Sequence, residues 1–473
     1  MANERQRESL ASGTGARDHA SEHATGAGGA KPFRLAWFSP FPPVKTGIAG
    51  RSAELVDMLR ARGYSIDTYP EARAHDFPWR RRIEPYDLAV YQFGNSSHHD
   101  YEWAYALRYP GLVVLHDTHV HHARAALLLR EKRIHDYRTE FRWNVPDVSP
   151  DAAEIAIAGF DSALYYNWSF TRGLVDASRL VAVHGAGTRR ELIESLEARG
   201  PGAVEANHAE KIVAIRLGEG VPASPEREVR ARRAVRAKYG IPEDAVLFGC
   251  FGGLTAEKRI SQIVAAFRAT EPHAPEARLL LAGAAAAHFD VGETGRGSDT
   301  VTSTGYLETD DDLTDHIAAC DATLNLRWPT ARETSGPWLR ALAAGKATVI
   351  NDLTHLADVV SLDPRTWRPT DPGPRRTAPV CIAIDILDED HSLRLAMRRL
   401  AADGDLRTQL GRAAREYWMR EHSVEGMADD YERVMRDAAA RPNPVGDLPG
   451  HLRDPGDRRL RALLAPFGIA PPI

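Results

Sequence analysis

The sequence predicts an α/β protein built from two doubly wound halves, and three observations carry that reading. Short apolar runs recur along the chain at Arg34–Phe38, Leu88–Phe93, Leu112–Leu115, Leu180–Val183, Ile212–Ile215, Ala245–Phe251, Arg278–Leu281, Ala322–Leu326, Thr348–Ile350 and Val380–Ile384. Each is too short for a helix and mostly lacks polar alternation, as expected of parallel strands covered on both faces. Helical patterns such as Gly50–Arg62 and Ile260–Ala269 lie between many of them, and this alternation builds doubly wound sheets. Finally, the residues able to do chemistry cluster just after the runs. Open parallel sheets bind ligands there, outside the carboxyl ends of their strands.

A chain of 473 residues exceeds one core, so two domains are expected. Gly, Pro and Glu replace the apolar pattern near Gly218–Glu226, which places the join there. The expected organisation is a disordered tail over 1–30, a first domain over 31–222 and a second over 223–415. A returning helix over 416–440 and a tail over 441–473 follow. Residues 402–440 read as two helices separated near Glu421-His422-Ser423.

Composition excludes several classes. The chain is 43% hydrophobic and 26% charged with a formal net charge of −5, so it offers no global field for nucleic acid and any anion site must be local. Cys250, Cys320 and Cys381 are far apart and sit in apolar surroundings, which reads as buried free thiols in a reducing compartment. No apolar run approaches the ~18–20 residues of a spanning helix. Residues 1–30 lack the apolar h-region of a signal peptide. A cytoplasmic location is expected, with peripheral contact at the inner face of a membrane as its extension. Arg142, Trp143, Tyr165, Tyr166 and Trp168 form an aromatic and basic region whose default explanation is packing, with acceptor or membrane contact as the alternative.

The most informative stretch is Leu324 to Ile350. It reads as a buried strand, a loop holding Glu333, a helix starting at Thr334-Ser335-Gly336, a helix end at Gly345 and another strand. A carboxylate there can accept hydrogen bonds from ligand hydroxyls, while helix amides beside it favour anionic groups. Ser39-Pro-Phe-Pro-Pro-Val-Lys-Thr-Gly47 runs from strand to helix, and Gly47 lacks a Cβ, so a ligand can approach its backbone. The alternative is a turn needed for packing. Gly252-Gly253 and Lys258-Arg259 repeat that layout in the second half. Cations at a helix start oppose the helix dipole, so a phosphate beside them is favoured over simple solvation, with Lys258 the stronger candidate.

His116, Asp117, His119, His121 and His122 follow the third run. The histidines do not share one helical face and no Cys or Glu completes a metal motif, so no metal is expected. His116 at a strand end is better suited to contact a sugar or position a reacting hydroxyl, with Asp117 orienting it. His98 and His99, after Asn95, either line the same cleft or form an exposed polar loop, and Asn95, His98 and Asp117 are candidates for the acceptor side. His184 has a strand-to-helix turn as an equally good explanation.

Together these segments resemble retaining glycosyltransferases of the GT-B fold, family four (glycosyl transferases group 1). The likeness runs from about Phe33 to Met435. Its marks are Ser39-Pro-Phe-Pro-Pro…Thr46-Gly47, Phe93-Gly-Asn95…His98, Val114-Leu-His116-Asp117…His121-His122, Gly253-Leu-Thr-Ala-Glu-Lys258-Arg259, Thr304-Gly305-Tyr306, Arg327-Trp-Pro-Thr330…Glu333-Thr-Ser-Gly336 and Leu406…Tyr431. The resemblance implies two Rossmann-like domains facing across a cleft, with C-terminal helices crossing back to the first. It implies a nucleotide-diphosphate sugar donor on the second domain and a small-molecule, lipid-linked or glycan acceptor on the first. No cofactor would be required. Gly47 would face the diphosphate, Lys258 would neutralise it, Glu333 would hold the sugar hydroxyls and His116 would sit by the transferring sugar. Many members carry an Arg where Gly253 stands, so Arg259 or Arg327 would supply that charge here. Many carry a second Glu eight positions after the first, which holds the ribose; position 341 is Ala and its neighbour is Arg340. An epimerase or phosphorylase on the same fold, or a binding subunit without transfer, are the rival readings.

Overall fold

The computed structural model describes residues 32–159, 163–197, 208–285, 299–370, 378–446, 448–453 and 458–469; the expected tail over 1–30 lies outside the described residues. Two sheets organise the chain. The first contains β1 (Arg34–Phe38), β2 (Ser65–Tyr69), β3 (Leu88–Phe93), β4 (Leu112–Leu115), β5 (Leu180–His184) and β6 (Ile212–Ile215) in the order β2-β1-β3-β4-β5-β6. All its pairings are parallel. The second contains β7 (Leu247–Phe251), β8 (Arg278–Ala282), β9 (Val301–Gly305), β10 (Ala322–Leu324), β11 (Ala347–Asn351), β12 (Ser361–Asp363), β13 (Arg368–Pro369) and β14 (Cys381–Ile384), in the order β13-β12-β14-β11-β10-β7-β8-β9. Its pairings are parallel except that of β12 with β13, and an isolated antiparallel bridge joins Gly283 to Gly305.

The central strands β1, β3, β4, β5, β7, β10, β11 and β14 are buried throughout. This is why their sequences read as uninterrupted apolar runs. The sequence reading missed β2, β9, β12 and β13. β2, β9 and β13 are edge strands, β12 lies next to an edge, and all four keep polar or exposed positions that break an apolar run. The predicted run Ala322–Leu326 ends as a strand at Leu324, because Asn325 already leaves it.

Between β6 and the helix Pro225–Lys238 the chain has no regular structure over 216–224, the region where the apolar pattern fails. Helices Gly404–Glu421 and Val424–Ala440 end the second half, and the break between them falls at His422-Ser423 as expected. Ser423 caps the second of these by accepting from the Gly426 amide at 3.2 Å. That helix crosses back to the first sheet, burying Met427, Tyr431, Val434 and Met435, with Tyr431 stacked on Trp37 of β1 at 5.7 Å.

The aromatic middle region is packing. Trp143 lies under the Arg172 guanidinium at 4.5 Å, and Tyr165 and Trp168 surround the His121 ring at 5.2 and 6.0 Å. All three cysteines are buried and free. Among the described residues no helix is long and apolar enough to cross a membrane.

Candidate functional site

A cavity of about 700 Å³ opens between the carboxyl ends of the two sheets. It gathers Gly47, Asn95, His116 and Asp117 from the first half with Gly252, Gly253, Lys258, Arg327, Glu333, Thr334 and Gly336 from the second. Three predicted residues stand outside it. Ser335 caps the helix Gly336–Ala343 by accepting from the Trp338 amide at 3.4 Å, so its hydroxyl serves the fold. His98 is exposed, and its neighbour His99 lines the cavity instead. Arg259 is in a left-handed conformation (φ 58°) that turns its guanidinium away, onto Glu389 at 2.9 Å. Arg259 is therefore not the second cation of the site; of the two expected arginines, Arg327 is the one that faces the cavity.

The second-half wall carries charge. Gly252 (φ 90°) follows β7 and lets Lys258 fold back: a Cβ at 252 would lie 2.4 Å from the Lys258 Nζ. Lys258 Nζ donates to the Phe251 carbonyl at 2.7 Å. Burial, and then the nearby Arg327 charge, lower its pKa from 10.5 to about 8, a difference worth on the order of 3 kcal/mol. The lysine is thus still charged at neutral pH but poorly compensated, and an incoming anion would relieve it. Glu333 is bracketed by Arg327 Nε at 2.8 Å and by Thr330, whose hydroxyl donates to it at 2.9 Å. Its loop also meets the first half, since the His119 amide donates to Ala331 O at 3.0 Å and Arg332 pairs with Glu191 at 2.6 Å.

The first-half wall is largely bonded internally, with Lys45 and Arg51 as its cations. Thr46 caps the helix Gly47–Ala61 by accepting from the Ala49 amide, and a Cβ on Gly47 would meet no protein atom within 4 Å. The backbone is open towards the cavity at that point. His116 lies at the end of β4, and both its ring nitrogens are engaged. Nε2 donates to Gln92 Oε1 at 2.7 Å, and Nδ1 accepts from His184 Nε2 at 3.2 Å. Gln92 Oε1 also accepts from the Tyr431 hydroxyl at 3.1 Å, which fixes the His116 tautomer. Burial, reinforced by His184, holds His116 well below 6.5, and burial with Arg51 takes His184 to about 3, so both stay neutral.

Asp117 does not orient His116 as expected; Gln92 and His184 do. Its Oδ2 accepts from the Asn95 amide at 2.6 Å, while Asn95 Oδ1 accepts from the Ala123 amide at 2.9 Å. Burial, and then the Glu333 carboxylate, raise Asp117 to about 7. Beside it His99 Nδ1 meets Glu102 Oε1 at 2.9 Å. Burial drives the two towards their neutral forms, His99 down to about 3 and Glu102 well up.

The sequence matches no protein-family model and no curated protein. Solved structures do match. The chain superposes on Anabaena HepE, solved with UDP and glucose, with a TM-score of 0.54 at 14% identity over 85% of this chain and 99% of HepE. A glycosyltransferase from Rickettsia africae ESF-5 gives a TM-score of 0.52 at 13% identity over 87% and 100%. WaaG, a glycosyltransferase involved in lipopolysaccharide biosynthesis, gives 0.50 at 15% over 85% and 99%. The architecture is GT-B.

The GT-B cleft contains residues that the sequence reading missed or left aside. Arg51 near the start of its helix, Glu219 from the join and Arg340 from the helix Gly336–Ala343 form an ion cluster at one end. Glu219 touches Arg51, lies 2.5 Å from Arg340 Nε, and Arg340 reaches Asp310 at 3.1 Å. Burial lowers Arg51 to about 10. Ala341, where a second carboxylate was sought, is fully buried in packing. At the mouth, Lys45 lies over the Tyr306 ring at 4.6 Å and reaches Glu308 at 3.4 Å. These partners are far apart in sequence, so no local signal joined them. Among the described residues no three His, Cys, Asp or Glu side chains converge as a metal site would require.

Proposed function

We propose that this chain is a retaining glycosyltransferase of the family-four kind, moving a sugar from a nucleotide-diphosphate donor to a hydroxyl acceptor. The observation that carries the reading is the asymmetry of one cavity. Lys258, Arg327 and Glu333 face an open helix start at Gly47 and an internally bonded wall at His116 and Asp117. A diphosphate fits between Lys258 and the helix N-termini, which favour anions through their free amides. Glu333, steadied by Arg327 and Thr330, would accept hydrogen bonds from the sugar hydroxyls.

As the bond from the anomeric carbon to phosphate breaks, the leaving diphosphate gains charge and the sugar becomes oxocarbenium-like. Lys258 and Arg327 stabilise that charge where it develops, which is preorganised electrostatic catalysis. The diphosphate takes the acceptor proton on the face it leaves, so the anomeric configuration is kept. Asp117 would receive the acceptor hydroxyl, and His116, with both nitrogens bound internally, shapes the wall without titrating. In this reading no cofactor is required. HepE was solved with UDP-glucose, which makes a uridine donor the first to try.

The test is a thermal-shift panel of UDP-, GDP-, ADP- and dTDP-sugars. A binding donor stabilises the native state by about 2.7 kcal/mol at one hundred times its Kd. One family of donors should raise the melting temperature and then be consumed with an acceptor present. If no nucleotide diphosphate shifts the melt, the proposal fails.

A further inference from the structure

One ionisable pair at the cleft has no part in the mechanism above. β3 and β4 pair in parallel with Phe93 opposite Leu115, so the loops that leave them start side by side. Gly94 and Asn95 leave the first strand, His116 and Asp117 the second. After Asn95 the chain makes a short turn, Ser97–His99, in which the His99 amide donates to the Ser96 carbonyl at 3.2 Å. It then enters the helix Glu102–Ala106, whose Trp103 packs edge-on against Phe93 at 5.5 Å. That contact ties the helix to the strand it follows. The three-residue spacing sets the His99 ring beside the Glu102 carboxyl, Nδ1 to Oε1 at 2.9 Å.

Both side chains are buried, His99 at 2% exposure and Glu102 at 0%, yet His99 lines the cavity. Gly94 shows where its free edge lies. A Cβ at that position would be 2.9 Å from His99 Nε2 and 3.2 Å from Asp117 Oδ2, so both atoms stand close over one bare stretch of backbone. Among the described residues no arginine or lysine lies within ion-pair distance of Glu102; its partner is His99. A lone carboxylate in such a place is costly, and burial pushes the Glu102 carboxyl well up. Glu102 therefore keeps its proton and donates it to Nδ1. A neutral imidazole that accepts at Nδ1 is a donor at Nε2. The pair thus presents an N–H to the cavity beside Asp117, whose carboxylate accepts.

We propose that His99, held by Glu102, binds the acceptor beside Asp117, a role that rests on the transfer proposed for this cleft. The two groups select an acceptor with hydroxyls on adjacent carbons, as in a pyranoside. Asp117 accepts from the reacting hydroxyl, while the His99 Nε2–H donates to the oxygen of its neighbour. An alcohol with a single hydroxyl would leave one of these buried groups without a partner. A site built to bond a hydroxyl rejects the analogue that lacks it for that reason. A histidine that only filled the core would need neither the edge towards the cavity nor a glutamate with no cation beside it.

The experiment is NMR of the isotope-labelled imidazole nitrogens in the full chain, with the His99 signals identified by their loss in His99→Gln. The chain is titrated with methyl α-glucoside, α-galactoside and α-mannoside, and with cyclohexanol as the single-hydroxyl control. Free His99 should be neutral at neutral pH with its proton on Nε2, and at least one pyranoside should shift that signal where cyclohexanol does not. His99→Phe should weaken that pyranoside roughly tenfold by calorimetry. His99→Gln, whose amide can donate from the same place, should recover most of the loss. Unchanged melting curves confirm folding; should His99→Phe not fold, the tautomer and the titration of the wild-type chain decide. A proton on Nδ1, equal shifts by cyclohexanol and the pyranosides, no shift by any pyranoside, or wild-type affinity in His99→Phe overturns the proposal. The transfer itself fails separately. A melt that no sugar nucleotide shifts defeats it and leaves the His99 signals readable, whereas transfer by His99→Phe with an unchanged acceptor KM defeats only the role of His99.

Discussion

The two walls of the cleft are built by the same device, a loop leaving the end of a parallel strand and entering a helix, yet their strand-end residues differ in how far they are satisfied within the protein. The wall that follows β7 and β10 holds Lys258, Arg327 and Glu333, charges only partly satisfied by one another. The wall that follows β1 and β4 holds an open backbone at Gly47 and a histidine with both nitrogens already bonded. The difference teaches that topology fixes where a ligand lies, while the degree of internal satisfaction decides which wall reads its charge. A satisfied polar group shapes a cavity. An under-compensated one attracts.

The comparison breaks most decisively at Lys258. Lys258→Ala should lower kcat/KM by about 10²–10³ while the protein stays folded; turnover near wild type would remove the charge asymmetry from the mechanism. Glu333→Gln comes next, with an expected loss of about tenfold to a hundredfold in the donor kinetics, and unchanged KM and kcat would take it out of the sugar site.

The third effect is a pH dependence. The Lys258 pKa of the free protein is depressed to about 8, so the charge proposed to bind a diphosphate fades above that pH. Donor affinity should fall by up to tenfold per pH unit above 8, measured as KM, and Lys258→Arg should flatten the profile because arginine stays charged. Folding linkage has its own sign. The unfolded lysine binds more protons between about 8 and 10.5, so stability rises with pH across that window. Asp117 on the other wall is raised to about 7. Its contribution is therefore full below about pH 4 and lost as pH rises through 7. The smallest effect is a gain. A Cβ at Gly253 would meet no atom within 4 Å, so Gly253→Arg should fold normally and tighten donor binding a few-fold by adding a cation to the charged wall. Weaker binding would mean that this wall is already saturated.

Most of the architecture was legible because burial leaves a direct mark. The strands covered on both faces announce themselves as apolar runs, and Gly345, at φ 64° just past the helix Gly336–Ala343, marks a helix end that the sequence already punctuated. Edge strands such as Ser65–Tyr69 were lost because a half-exposed strand can afford polar residues. The site was legible where loops follow strands and illegible where partners are distant. That Arg259 turns to Glu389, or that His99 rather than His98 faces the cleft, depends on backbone angles and on residues that no local pattern names.

The hydroxyl of Tyr431 reaches Gln92, which holds His116. Tyr431 lies in the helix Val424–Ala440 and Gln92 in β3, 339 positions earlier. During synthesis the first sheet therefore leaves the ribosome long before the helix that completes it. A chain interrupted ahead of residue 424 would carry both sheets and every charged residue of the cleft, but a histidine wall with one of its ties missing. Competence would arrive with one of the last helices to be made.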